Sequence, residues 1–264
     1  MVLVTALKLI LPPALIAVAS LAGRRFGPRF SGWIVALPLV SGPVVFFLAL
    51  DQGPSFAAAT ARGSLMGAAG QASFCVGYAW LGRAYGWPLA LAGGTLAFAA
   101  GALAIAPVVR LAVAALVAIL ACWIVLMLAF MPPRARAVSI SASLGRWDIP
   151  WRMITGTLLV LVLTRAAPLL GPRMSGVAAA YPIVTAVMAV FTHRADGSRH
   201  ANAVLRGLLL GMFSFVTFYA ALGLIVERAG MAGGFATATG AAILVQFLTG
   251  AALRSPLGTR FNLS

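Results

Sequence analysis

Long apolar runs, interrupted at short intervals by glycine, proline and arginine, set the pattern of this chain. The runs Val2–Ala22, Ser31–Leu50, Phe56–Leu81, Pro88–Ala106 and Leu111–Met131 come first. A polar stretch from Pro132 to Arg152 follows, then the runs Met153–Leu170, Ser175–Phe191, Ala201–Val226 and Met231–Leu253. Each is near the ~20 residues that an α-helix needs to cross a bilayer. The segment from Pro88 to Met131 is too long for one crossing at ~1.5 Å per residue, and Pro107 with Arg110 divides it. The pattern predicts an all-α polytopic integral membrane protein of about nine transmembrane helices.

Composition excludes the alternatives. Apolar residues make up 62% of the 264 and charged residues 9%, with a mean hydropathy of +1.04. Soluble domains carry roughly 45–50% and 25%, so a soluble domain, a disordered chain and a disulfide-stapled module are all ruled out. The 19 basic residues against 4 acidic ones give a formal charge of +15. Eighteen of the nineteen are arginines, and Lys8 is the only lysine. They sit between apolar runs, which points to membrane topology and anionic lipid headgroups rather than nucleic acid. Twelve arginines (24, 25, 29, 83, 134, 136, 146, 152, 194, 199, 254 and 260) fall on one side of the predicted helices and four (110, 165, 173 and 228) on the other. The positive-inside bias then makes the arginine-rich side cytoplasmic, with the N-terminus outside and the C-terminus inside a bacterial-type plasma (inner) membrane. The N-terminus lacks the features of a cleaved leader and reads as a retained helix.

A repeat lies inside the chain. Residues Gly27–Gly67 align without a gap on Gly171–Gly211, at an offset of 144, with 16 of 41 positions identical. Composition alone gives roughly four, so the match is a genuine internal repeat. The first copy reads GPRFSG, Pro38, Gly53, RGSLMG and the second GPRMSG, Pro182, Gly197, RGLLLG. The copies begin five predicted helices apart, and an odd spacing turns the second upside down. The expected organisation is a first transmembrane repeat over 1–107, a linking helix and cytoplasmic loop over 108–152, and a second, inverted repeat over 153–264. Two inverted four-helix repeats joined by a linking helix form a common plan of secondary transporters.

Candidate chemistry follows from the repeat. Pro38 and Pro182 fall mid-helix, each followed by a hydroxyl three residues on, Ser41 and Thr185. A proline removes a backbone hydrogen bond, and matching breaks in two repeats point to a substrate site. Arg62 and Arg206 occupy one repeat position about two turns inside their helices. Their donor forks suit an anionic substrate group, and pairing to Asp51 and Asp196 in a loop-to-helix clamp is the competing reading. Arg29 and Arg173 precede Ser31 and Ser175, which read as N-caps; the four form candidate gate or headgroup contacts. Gly63-x-x-x-Gly67 and Gly207-x-x-x-Gly211 read as packing seams within the chain, with Gly70 extending the first. His193, Asp196 and His200 share one predicted loop with the spacing of a weak metal site, and solvation is the favoured reading. Gln71 and Gln246 lie deep in helices and need partners. Trp33, Trp80, Trp87, Trp147 and Trp151 sit near predicted helix ends, as in an aromatic belt.

The expected function is a small secondary transporter or facilitator for a small organic anion or polar metabolite, with alternating access around a midplane site at the broken helices. A lipid-phosphate flippase, a channel and a non-transporting membrane subunit are the alternatives. The four acids, Asp51, Asp148, Asp196 and Glu227, all lie near predicted loops, which argues against carboxylate-driven cation or proton pumping. Catalysis needs clustered titratable groups, and only the 193–200 segment offers any, so an enzyme is not expected. Cys75 and Cys122 have no metal-ligand or CxxC spacing. Neither cofactor nor metal is expected. The expected partners are membrane lipids and a small-molecule substrate, without nucleic acid, and with a homodimer as the lesser option at the glycine seams.

Overall fold

A computed structural model describes residues 2–38, 41–133, 148–166 and 171–254. Among the described residues every element is an α-helix. In chain order these are α1 (Val2–Phe26), α2 (Pro28–Val35), α3 (Ser41–Gln52), α4 (Pro54–Ala84), α5 (Trp87–Ile105), α6 (Val113–Phe130), α7 (Asp148–Ala166), α8 (Gly171–Ala179), α9 (Ile183–Asp196) and α10 (Ser198–Arg254). Gly230, at φ 69°, bends α10 into two arms, 198–229 and 231–254. Four helical stretches are long and apolar enough to cross a membrane: Trp87–Ile105, Val113–Phe130, Gly176–Asp196 and Ser198–Ala251.

Local chemistry fixes the boundaries. Pro28, Pro54 and Pro88 sit in the first turns of α2, α4 and α5, where a missing N–H costs nothing. Gly53 and Gly197 take φ of 88° and 86°, a region closed to most side chains, and so turn α3 into α4 and α9 into α10.

The runs Ser31–Leu50 and Ser175–Phe191, each expected as one helix, are each two. α2 ends at Val35 and α3 starts at Ser41; α8 ends at Ala179 and α9 starts at Ile183. The cause is proline. Pro38 and Pro182 leave the carbonyls of Ile34 and Ala178 without their usual partners. Leu37 N–H and Tyr181 N–H reach back to those oxygens at 3.2 and 3.0 Å, closing tight turns. Beyond each break the proline carbonyl accepts from the new helix, Gly42 N–H at 2.8 Å and Ala186 N–H at 2.7 Å. These hydrogen bonds recur at the offset of 144. So do the starts of α4 and α10 (Pro54, Ser198) and the turns at Gly86 and Gly230.

The interior mixes many small residues with large ones such as Phe74, Tyr78 and Tyr219, while further large apolar side chains face out. The core is rich in alanine, including Ala57, Ala61, Ala68, Ala69, Ala72 and Ala189, all fully buried. Leu89, Leu96 and Leu103 form an outward stripe on α5, and Leu244, Phe247 and Leu248 one on α10. Backbones can then approach closely while the outer surface suits hydrocarbon.

The tightest crossings exchange the two parts of the chain. α2 lies on α10: a Cβ on Gly207 would overlap the Arg29 carbonyl, one on Gly211 the Ala36 side chain, and one on Gly32 the Val204 carbonyl. α8 lies on α4 in the same manner. There a Cβ on Gly63 would overlap the Arg173 carbonyl, one on Gly67 the Ala180 side chain, and one on Gly176 the Thr60 carbonyl. Each of these three glycine approaches in one crossing has its counterpart 144 residues away in the other. Both glycine motifs are thus seams within the chain. Gly70 does not extend the first, because it faces Phe98 on α5, with an added Cβ only 2.7 Å from that carbonyl.

Candidate functional site

The two breaks are the natural centre of a polar site, because unwound backbone inside an apolar bundle must find partners. Gln71 on α4 donates to the Ala180 carbonyl at the second break, at 2.6 Å. Gln246 on α10 donates to the Trp33 carbonyl in the last turns of α2, at 2.7 Å, and its side-chain oxygen accepts from Ser214. Both glutamines serve the part of the chain to which they do not belong.

Hydroxyls gather around the breaks. Pro38, Ser41, Pro182 and Thr185 are all buried. Ser64 on α4 donates to the Gly176 carbonyl of α8 at 3.3 Å. The Tyr219 hydroxyl on α10 faces Ser41 and Ser64 without closing a hydrogen bond of good geometry, and the Thr60 hydroxyl one turn from Ser64 is likewise unpaired. Tyr219, Ser64 and Thr60 are wholly inaccessible. Ser64 thus touches α8 ahead of the second break, and Tyr219 stands near both Ser64 and Ser41 at the start of α3. Such a cluster offers neutral donors and acceptors to a small polar group.

Arg62 and Arg206 lie elsewhere. Arg62 donates to the Val109 carbonyl, ahead of α6, at 3.5 Å. Arg206 donates to the carbonyls of Met131, at 3.2 Å, and Pro132, just past the end of α6. A cation suits exposed carbonyls at a helix C-terminus. The two arginines, at one repeat position, are separated by the length of α6, about 27 Å for its 18 residues. The Asp51 side chain lies outside the described residues.

Ser31 is not an N-cap. Gly27 holds that place in α2, at φ 94°, and the Ser31 hydroxyl donates to the Pro28 carbonyl at 2.7 Å. Proline's preference for the first turn starts the helix earlier than the serine. Ser175 likewise falls inside α8, and its side chain lies outside the described residues. Arg29 is half-buried and Arg173 exposed, and both backbones stand at the glycine seams.

His193, Asp196 and His200 do not form a loop. The first two end α9 and the third is in the first turn of α10. His193 Nδ1 is 3.3 Å from the Tyr78 hydroxyl, and His200 Nδ1 donates to the Asp196 carbonyl at 2.7 Å. The histidines thus turn to different partners. Trp80 and Trp151 are exposed as a belt requires, whereas Trp33 packs on α10 and donates to Thr249 at 3.3 Å; Trp147 lies outside the described residues.

Sequence reading passed over Ser64, Thr60, Tyr219 and Arg152. The first three are ordinary hydroxyls on apolar helices, with nothing to single them out. Arg152 is 2% exposed although it belongs to a run of loop arginines. A signal for it exists: 144 residues earlier stands Lys8, the only lysine.

The described residues define an all-helical arrangement with helices apolar enough to span a membrane, two of them broken at proline with buried hydroxyls nearby. Comparison with family models, curated proteins and solved structures gave no match.

Proposed function

We propose that the chain is a small secondary transporter or facilitator built from two inverted repeats, and that its substrate is a small organic anion or polar metabolite. The observation that carries the reading is the pair of proline breaks at one repeat position, with the buried Tyr219 hydroxyl near Ser41, just past the first, and near Ser64, which donates to α8 ahead of the second. Broken helices at matching positions are tolerated inside a bilayer where they line a site. Two features support the inversion. Arg62 and Arg206 reach opposite ends of α6, and the glycine crossings are exchanged between the two parts. Rocking of one repeat on the other about these seams would open the site first to one face and then to the other. Pro38, Ser41, Pro182 and Thr185 line it with Ser64 and Tyr219. Arg62 and Arg206 act at its edges by holding α6, and Arg29 and Arg173 stand at opposite mouths. In this reading the membrane is the bacterial inner membrane, with nine crossings and the arginine-rich face inward.

Purified protein in liposomes, screened for flux of carboxylates, phosphate esters and neutral metabolites, tests the proposal. Flux of one class above empty liposomes is expected. Tyr219→Phe and Ser64→Ala should each lower it at least about tenfold, the loss of one substrate hydrogen bond, with folded yield unchanged. No flux of any class, or full flux in both variants, would overturn it.

A further inference from the structure

The buried hydroxyls beside the first break are poorly satisfied by the protein itself. Thr60, Ser64 and Tyr219 are wholly inaccessible and Ser41 is 7% exposed. Ser64 gives its proton to the Gly176 carbonyl, which leaves its oxygen as an acceptor. The Tyr219 hydroxyl faces Ser41 and Ser64 without closing a good hydrogen bond, and the Thr60 hydroxyl has no partner among the described residues. We propose that this cluster binds the carboxylate of a small organic anion. The inference rests on the reading of the cluster as the transport site and names the group it recognises.

Thr60 differs from other threonines on these helices. Thr95, Thr217 and Thr237 each donate to the carbonyl one turn back, at 2.9, 2.8 and 2.8 Å. Thr60 makes no such bond. It lies one turn from Ser64, which Tyr219 faces. A buried hydroxyl left unpaired costs stability. Two of them beside a helix break are expected where a ligand completes their bonds.

Chemistry selects the ligand. Both unpaired hydroxyls can donate. Ser41 lies in the first turn of α3, the positive end of a 12-residue helix. Pro43 has no N–H, and the Gly42 N–H is taken by the Pro38 carbonyl. The helix therefore acts through its dipole, and the hydroxyls supply the directed bonds. Donors around a partial positive charge favour an oxyanion over a cation or a neutral acceptor. That partial charge is only about +0.5, which suits one carboxylate and not a phosphate dianion. The repeat arginines Arg62 and Arg206 donate instead at the ends of α6.

The scaffold does not require this set. At the offset of 144, Thr60, Ser64 and Tyr219 correspond to Val204, Leu208 and Cys75, which are equally buried. Only Ser41 recurs as a hydroxyl, in Thr185. The repeated fold packs apolar side chains at the same positions, so the hydroxyls mark the side on which the ligand is held.

The test uses the purified full chain and three-carbon probes that differ in their charged group: lactate, glycerol 3-phosphate and glycerol. Binding is read from the rise in melting temperature and transport from flux into liposomes. Saturable binding of lactate, with flux at least about tenfold above the other two, is expected. Thr60→Val and Tyr219→Phe each remove an unpaired hydroxyl. Each should raise the ligand-free melting temperature by about 2–4 °C and weaken lactate binding about tenfold. A hydroxyl with only a structural role would lower the melting temperature when removed. Preference for glycerol 3-phosphate or glycerol would overturn the carboxylate assignment and leave the transporter reading standing. Lactate binding without flux would do the reverse. Absence of lactate binding, or a lower ligand-free melting temperature in both variants, would overturn the site.

Discussion

Gly207→Ala probes the crossing of α2 on α10 with a single methyl group. The added Cβ would overlap the Arg29 carbonyl oxygen and stand 2.8 Å from its carbon and 2.9 Å from the Trp33 amide nitrogen. All three are backbone atoms, so no side-chain rotation relieves the contact. α2 must lift from α10 by about 1 Å, and overpacking of this kind costs about 1–3 kcal/mol, here at the upper end. Alanine regains about 1 kcal/mol of helix propensity over glycine. The net loss is about 2 kcal/mol. Gly240 supplies the control, since nothing lies within 4 Å of its added Cβ. Gly240→Ala should therefore gain the propensity alone, about 1 kcal/mol. The two variants differ by about 3 kcal/mol, roughly 6–12 °C in melting temperature for a chain of this size. Thermal unfolding in detergent, followed by tryptophan fluorescence, reads the difference directly. Gly63→Ala, opposite the Arg173 carbonyl, should match Gly207→Ala. If Gly207→Ala melts together with Gly240→Ala, the close crossing and the exchange of helices between the two parts are both wrong.

Two further predictions rest on named hydrogen bonds. Gln71→Leu leaves the Ala180 carbonyl unpaired at the second break and should cost about 1–3 kcal/mol, with Gln246→Leu costing as much at Trp33, both measured by the same melts. Arg62→Gln should raise amide exchange over 108–112 and leave Met131 unchanged, while Arg206→Gln should do the reverse; a rise at both ends in either variant would show that the arginines do not hold α6 separately.

The sequence made some of this architecture legible for physical reasons. A proline cannot donate a hydrogen bond, so Pro38 and Pro182 mark candidate breaks, although α1 runs unbroken through Pro12 and Pro13 and residue type alone does not decide where a helix parts. Glycines four apart announce a close crossing. Two buried glutamines announce that something across a helix interface needs them. Partner identity was not legible. The carbonyls of Val109, Met131 and Pro132, far from Arg62 and Arg206 in sequence, accept from them because the packing of α6 brings those oxygens within reach. Ser31 has the chemistry of a cap, but Pro28 and Gly27 start the helix a turn earlier. Arg152 resembles its many neighbours until the fold closes five helix ends around it.

The most direct test of the inverted repeat uses Ser55 and Arg199, which share a repeat position and are both exposed at the start of α4 and α10. Each is replaced by cysteine in a background lacking Cys75 and Cys122, and labelled in sealed vesicles with a reagent that cannot cross the membrane. The account predicts that one is labelled only from outside and the other only after the vesicles are opened. Labelling of both from the same side would contradict it.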